Sequence, residues 1–172
     1  MTKLRKKLGL VPAVALALVA FGGAAALAQR QLASAGRPDV KINLAGTVER
    51  AGQKLSLDQV ENVQPGEILD WQIVSSNEGR GAARGYKAVG HIPQGTAFVQ
   101  GSAQAEAGSV VTYSIDGGQT FSAQPVVEEK QADGTVKQVP APASMYTEVR
   151  YEWSDALAAG GKLTASYKVR VR

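Results

Sequence analysis

The chain has 172 residues, with 19 basic and 15 acidic side chains, no cysteine and one histidine. That composition excludes a disulfide framework and leaves any metal centre or histidine-based triad a single imidazole to work with. The formal charge of +4 comes from the first few residues, so it gives no argument for nucleic-acid binding.

Lys3, Arg5, Lys6 and Lys7 precede an uncharged Ala/Leu/Val-rich run from Leu8 to Leu27, and Ala26-Leu27-Ala28 follows as an A-x-A cleavage site. Residues 1–28 therefore read as a secretory signal peptide, with Ala33-Ser34-Ala35 as a second cleavage candidate. The run is long enough to cross a bilayer, so an uncleaved anchor is the competing reading; Gly22-Gly23 and the small residues after them favour cleavage. No Cys follows and no Arg-Arg pair precedes the run. The expectation is export by the general secretory route to the periplasm, cell surface or exterior. Removing the leader leaves 144 residues (172 − 28), with 15 basic (19 − 4) and 15 acidic side chains. That is one neutral domain, long enough to bury its own core.

Residues 29–39 are small and polar and read as a flexible lead-in. In Val40–Val48, Val40, Ile42 and Leu44 alternate with Lys41 and Asn43, the period of a half-buried strand. Ala51-Gly52 turns the chain, and Leu55 and Leu57 suggest a second short strand. After Pro65-Gly66, Leu69, Trp71 and Ile73 share one face and Asp70 and Gln72 the other. Asn77–Gly81 is a loop. Tyr86–Ile92 is a strand closed by Pro93, and Thr96–Val99 follows Gly95. Val111, Tyr113 and Ile115 alternate next. Val126–Lys130 and Thr135–Val139 form a hairpin about Ala132-Asp133-Gly134, an exposed protrusion flanked by Pro140-Ala141-Pro142. Val149, Tyr151 and Trp153 point inward, as do Leu163, Ala165, Tyr167, Val169 and Val171 in the last strand. Eight or nine short strands at this spacing predict an all-β, immunoglobulin-like sandwich over residues 40–172. Helical periodicity is missing, apart from a single turn allowed at Ser154–Ala159.

The stretch from residue 63 to 102 is similar to DUF11, an immunoglobulin-like repeat domain of bacterial and archaeal surface proteins. Pro65-Gly66-Glu67 with Trp71 and Ile73 matches its first strand, and Asn77-Glu78-Gly79 its N-x-G. Ile92-Pro93-Gln94-Gly95-Thr96 with Phe98-Val99 and Gly101-Ser102 matches its I-P-x-G segment. Tyr151-Glu152-Trp153 followed by Ala159-Gly160-Gly161 looks like its closing strand and turn. The likeness covers roughly residues 60–172. The family's acidic residue before Ile-Pro is replaced here by Gly90 and His91, and this chain has one copy where most members have several. The resemblance implies a small envelope protein that is a structural or interaction module.

Ser114-Ile115-Asp116-Gly117-Gly118-Gln119-Thr120-Phe121 fits the Asp-box pattern known from propellers. The side chains of Ser114, Asp116 and Thr120 would bond the backbone of the turn that includes Gly118, while Phe121 packs beneath. One copy cannot make a propeller, so the motif reads as a stabilised turn.

Material for catalysis is sparse. His91 reads as structural; no G-x-S-x-G elbow, carboxylate pair, calcium loop or phosphate-binding glycine loop stands out. The expectation is a protein without catalytic, metal or cofactor sites. Trp71 and Trp153 continue inward alternations and read as core, the alternative being a sugar-stacking platform. Lys87 and Asn77 raise the question of an internal isopeptide bond. The overall reading is a non-enzymatic envelope module whose partner is another envelope protein or a second copy, through a sheet edge, the 126–139 hairpin or the loop at 77–84. The runner-up is a carbohydrate-binding module taking a glycan.

Overall fold

Eleven antiparallel strands, separated by glycine-containing turns except between the ninth and the tenth, lie within residues 40–171 of the computed structural model, which describes residues 36–106 and 108–172. The chain divides into two units, Met1–Arg37 and Pro38–Arg172, and all eleven strands belong to the second. The signal-peptide reading and residues 29–35 of the lead-in lie outside the described residues.

β1 (Val40–Arg50) and β2 (Gln53–Ser56) are joined by Ala51-Gly52, both at positive φ (50° and 79°), the pattern of the two-residue hairpin turn that follows strand twist. β3 (Ile68–Asn77), β4 (Lys87–His91), β5 (Thr96–Phe98), β6 (Gln104–Ala105) and β7 (Ser109–Ser114) follow, then the hairpin β8 (Val126–Lys130) and β9 (Val136–Pro140), and β10 (Glu148–Trp153) and β11 (Lys162–Val171). The larger sheet runs β2-β1-β3-β11-β5 with β6 also on β11, the smaller runs β4-β10-β7, and β8–β9 stands apart.

The two main sheets pack as a sandwich. Leu69 and Ile73 of β3, Phe98 of β5 and Ala165, Tyr167 and Val169 of β11 meet Ala88 of β4 and Val149, Tyr151 and Trp153 of β10. Burial of these apolar faces is the main driving force. Buried phenols need partners, and here they bond across the two layers. Tyr151 donates to the Ser166 carbonyl (2.7 Å), Tyr167 to the His91 carbonyl (2.6 Å) and Tyr86 to Ser75 Oγ (2.8 Å). Burial pushes the Tyr167 phenol up to about 12 and Tyr151 further still.

The alternation over β10 and β11 agrees with the burial found. Several expectations change. Leu57 leaves β2 and starts a 3-10 turn (Leu57–Gln59), and Ile115 falls beyond the end of β7. Ser154–Ala159 forms no helical turn; Leu157 instead bridges to Ala83. The second 3-10 turn is at Ala143–Met145. Ile42 and Leu44, expected to be half-buried, are 61% and 52% exposed. Among the described residues, no helix is long and apolar enough to cross a membrane.

Candidate functional site

The motif residues singled out in the sequence build the frame of the sandwich. Asn77, 1% exposed, sits at the end of β3, where its amide nitrogen donates to the carbonyls of Gly81 (2.7 Å), Leu157 (3.0 Å) and Ala158 (3.2 Å). Its amide oxygen accepts from the backbone N–H groups of Asp39 and Gly79, both at 3.1 Å. One side chain thus fastens the 77–81 loop to the turn before β11. Pro65-Gly66 forms the opposite corner: Gly66, at φ 91°, donates to the Val171 carbonyl (2.9 Å). Glu67 accepts from Arg50 (2.6 and 2.9 Å) and from the Gln64 backbone (2.7 Å). The Arg50 guanidinium beside it holds the Glu67 carboxyl well down, at about 2. Ile92 is buried, Pro93 accepts from Thr96 N (3.1 Å) and Oγ1 (2.6 Å), and Gly95 turns the chain at φ 79°.

At Gly90 the Tyr167 ring occupies the space, and any Cβ there would strike it. His91 is exposed, with Nδ1 4.0 Å from Glu148. Trp153 is buried and stacks with Tyr86 and Tyr151. Trp71 is half-buried, with its ring over Gly46. Neither indole forms an exposed platform. Lys87 and Asn77 are not brought together: the Lys87 ammonium pairs with Glu152 at 3.0 Å on the small sheet and is half exposed, while the Asn77 amide is fully engaged on the large one.

The residues from Ser114 to Thr120 bond one another closely. Ser114 Oγ donates to Asp116 (2.7 Å) and accepts from Gly118 N (2.9 Å), and Asp116 accepts from Thr120 N (2.9 Å) and Oγ1 (2.6 Å). Those Thr120 bonds hold the Asp116 carboxyl near 2. Phe121 lies under the Arg150 guanidinium, 4.0 Å from ring centre to carbon. This is a closed, self-satisfied turn. Among the described residues, no three His, Asp or Glu side chains converge as metal ligands.

The open feature is the first half of β1. Thr47–Arg50 pair with β2, whereas among the described residues Val40–Gly46 pair only with β3. The bond from Glu78 N to the Asp39 carbonyl (2.8 Å) sets the phase. Residues 39, 41, 43 and 45 turn their backbone groups toward β3, and Val40, Ile42 and Leu44 turn theirs to the free edge. Cross-strand partners share a face, and Ile42 and Leu44 sit opposite Ser75 and Ile73. Both side chains therefore face inward, toward the core side. The cover ends one strand earlier, where Tyr86 reaches Ser75. Val48, by contrast, is 1% exposed, because the chain after β2 folds Leu57 and Val60 over that end of β1. Among the described residues the result is a vacant strand lane of about 20 Å, the six steps from Val40 to Gly46 at about 3.3 Å each, beside an uncovered apolar shelf.

A second concavity lies across the molecule, beneath the base of the β8–β9 hairpin. It encloses about 520 Å³ and is lined by Phe98, Tyr113, Tyr146, Gln100, Gln124 and Pro140. Tyr113 and Tyr146 stack at 4.8 Å, and Phe98 lies 5.2 and 5.6 Å from them. Tyr146 lies outside every strand, and its only signal in the sequence is an aromatic in a Pro/Ala-rich linker.

Compared with known protein families, curated proteins and solved structures, the chain matches none.

Proposed function

We propose that this chain is an exported, non-enzymatic β-sandwich serving as a structural or protein-interaction component of the bacterial cell envelope, and that the open half of β1 is its contact surface. The observation carrying this reading is that Val40, Ile42 and Leu44 combine a row of backbone donors and acceptors unused among the described residues with inward-facing apolar side chains. Such an edge is a template for strand addition: the backbone supplies affinity and alternate side chains supply selectivity. β4, one edge of the small sheet, carries the charged Lys87, the kind of side chain that natural sheets use to discourage pairing. The leader pattern and the likeness to surface-protein repeats support the envelope address.

Photo-cross-linking in intact cells tests the reading, with the reactive group at position 42, at 89 on the small sheet, or at 138 on the hairpin. The expected result is one dominant adduct from position 42 and none from the other two. Equal or absent labelling at 42 would overturn it.

A carbohydrate-binding role is the second reading, favoured by the Tyr113–Tyr146 cleft with its two glutamine amides and not by the tryptophans. Binding on a glycan array that disappears in Tyr146→Ala would support it; an array silent for the parent chain removes it.

A further inference from the structure

We infer that the strand filling the vacant lane of β1 is β1 of a second copy, paired antiparallel about a two-fold axis at Ile42; the inference rests on the edge-docking reading above. The lane sets the register. β2 occupies the same edge of β1 from Thr47 onward, so only residues up to about 46 are free. Upstream, Pro38 has no N–H to donate and stops pairing.

Backbone phase allows even residues to face even residues across the axis. Pairing Ile42 with Ile42 of the second copy sets Val40 against its Leu44 and Lys41 against its Asn43. The paired segment then runs from residue 39 to 45 in each copy, which fits between Pro38 and the end of β2. Moving the axis to Asn43 would drive Asp39 into the lane that β2 holds.

Charge agrees with this register. The segment 39–45 contains one acid and one base, Asp39 and Lys41, already paired within each copy at 3.0 Å. Two neutral strands meet, and no Lys41 faces the other Lys41. On the inner face the pairing brings together three apolar cross-strand pairs, the arrangement that stabilises sheets. Stable specific interfaces bury about 1,200–2,000 Å², and one seven-residue strand pair buries less. The dimer is accordingly concentration-dependent and reversible, and tightens where copies are crowded on a surface.

The chain contains no cysteine, so single-cysteine variants of the full chain give a clean test. Hydrogen-bonded antiparallel partners lie about 5.5 Å apart at Cα, within disulfide range. Ile42→Cys should cross-link to itself on mild oxidation, and a mixture of Val40→Cys and Leu44→Cys chains should form the mixed dimer. Lys41→Cys, facing Asn43 from the opposite side of the sheet, and Val89→Cys, on the other sheet, should lag at least about tenfold. Sedimentation of the unmodified chain should show mass rising toward a dimer with concentration. Ile42→Lys, which sets two ammonium groups face to face, should weaken that association at least about tenfold. Equal oxidation rates at positions 42 and 89, or a monomer at every concentration, would overturn self-pairing. If position 42 still gives its single adduct in cells and that adduct is a different protein, edge docking stands and the second copy alone is wrong. If position 42 labels nothing, both fall.

Discussion

β1 has two halves that the sequence writes in the same way and the fold treats differently. Val40, Ile42 and Leu44 alternate with polar residues, and Val48 continues the same inward face. Val48 is covered by Leu57 and Val60, while Ile42 and Leu44 lie more than half exposed. Apolar character alone did not bury them. Burial needed something opposite, and the small sheet, three strands wide against the larger one, ends before it reaches β1. The covered half serves stability; the open half costs little to keep and is available for contact.

The contrast can be broken from the covered side. Gly46 admits both Leu57 and the Trp71 ring against the strand. Gly46→Val should force the Leu57 lid away and destabilise the fold by about 3 kcal/mol, as overpacking does, with tryptophan emission moving to the red. A chemical-denaturation curve reads both. Val48→Ala removes two methyl groups from a sealed site and should cost about 2 kcal/mol.

Acid should loosen the same half. The folded Glu67 carboxyl titrates near 2, below its usual 4.5. Its contribution is therefore complete above pH 4.5 and is lost as pH falls toward 2. Thermal midpoints measured from pH 6 to 2 should drop over that interval, and less steeply in Glu67→Gln. Asp116, also near 2 from 3.8, keeps part of the slope in that variant.

On the open side, Ile42→Ala and Leu44→Ala should change stability by no more than about 0.5 kcal/mol. The same methyl-removing chemistry in one strand would then differ several-fold in its effect. A loss at position 42 equal to that at 48 would show that the open half is covered after all.

How much of this was legible depended on whether the signal was local. β10 and β11 read correctly because each inward residue finds the opposite sheet across from it. The two glycine turns at Gly66 and Gly95 and the Asp-box bonds are short-range and could be read directly. What β1 would meet depended on the width of the other sheet, which no window of sequence contains. Gly90 looked like a lost acidic site; Tyr167, whose ring occupies the space there, lies 77 positions away (167 − 90). Asn77 matched a motif, but its partners at Leu157 and Ala158 could be known only from the fold.

The order β1-β3-β11 has a mechanical consequence. β1 and β11 run in the same direction on either side of antiparallel β3, joined to it through nine residue pairs each. Tension drawing Val40 backward and Val171 forward would load both ladders lengthwise. Their hydrogen bonds would then resist together, as in a lap joint, instead of parting one after another like a zipper. A chain held at one end of β1 and pulled from the end of β11 would be a stiff tether.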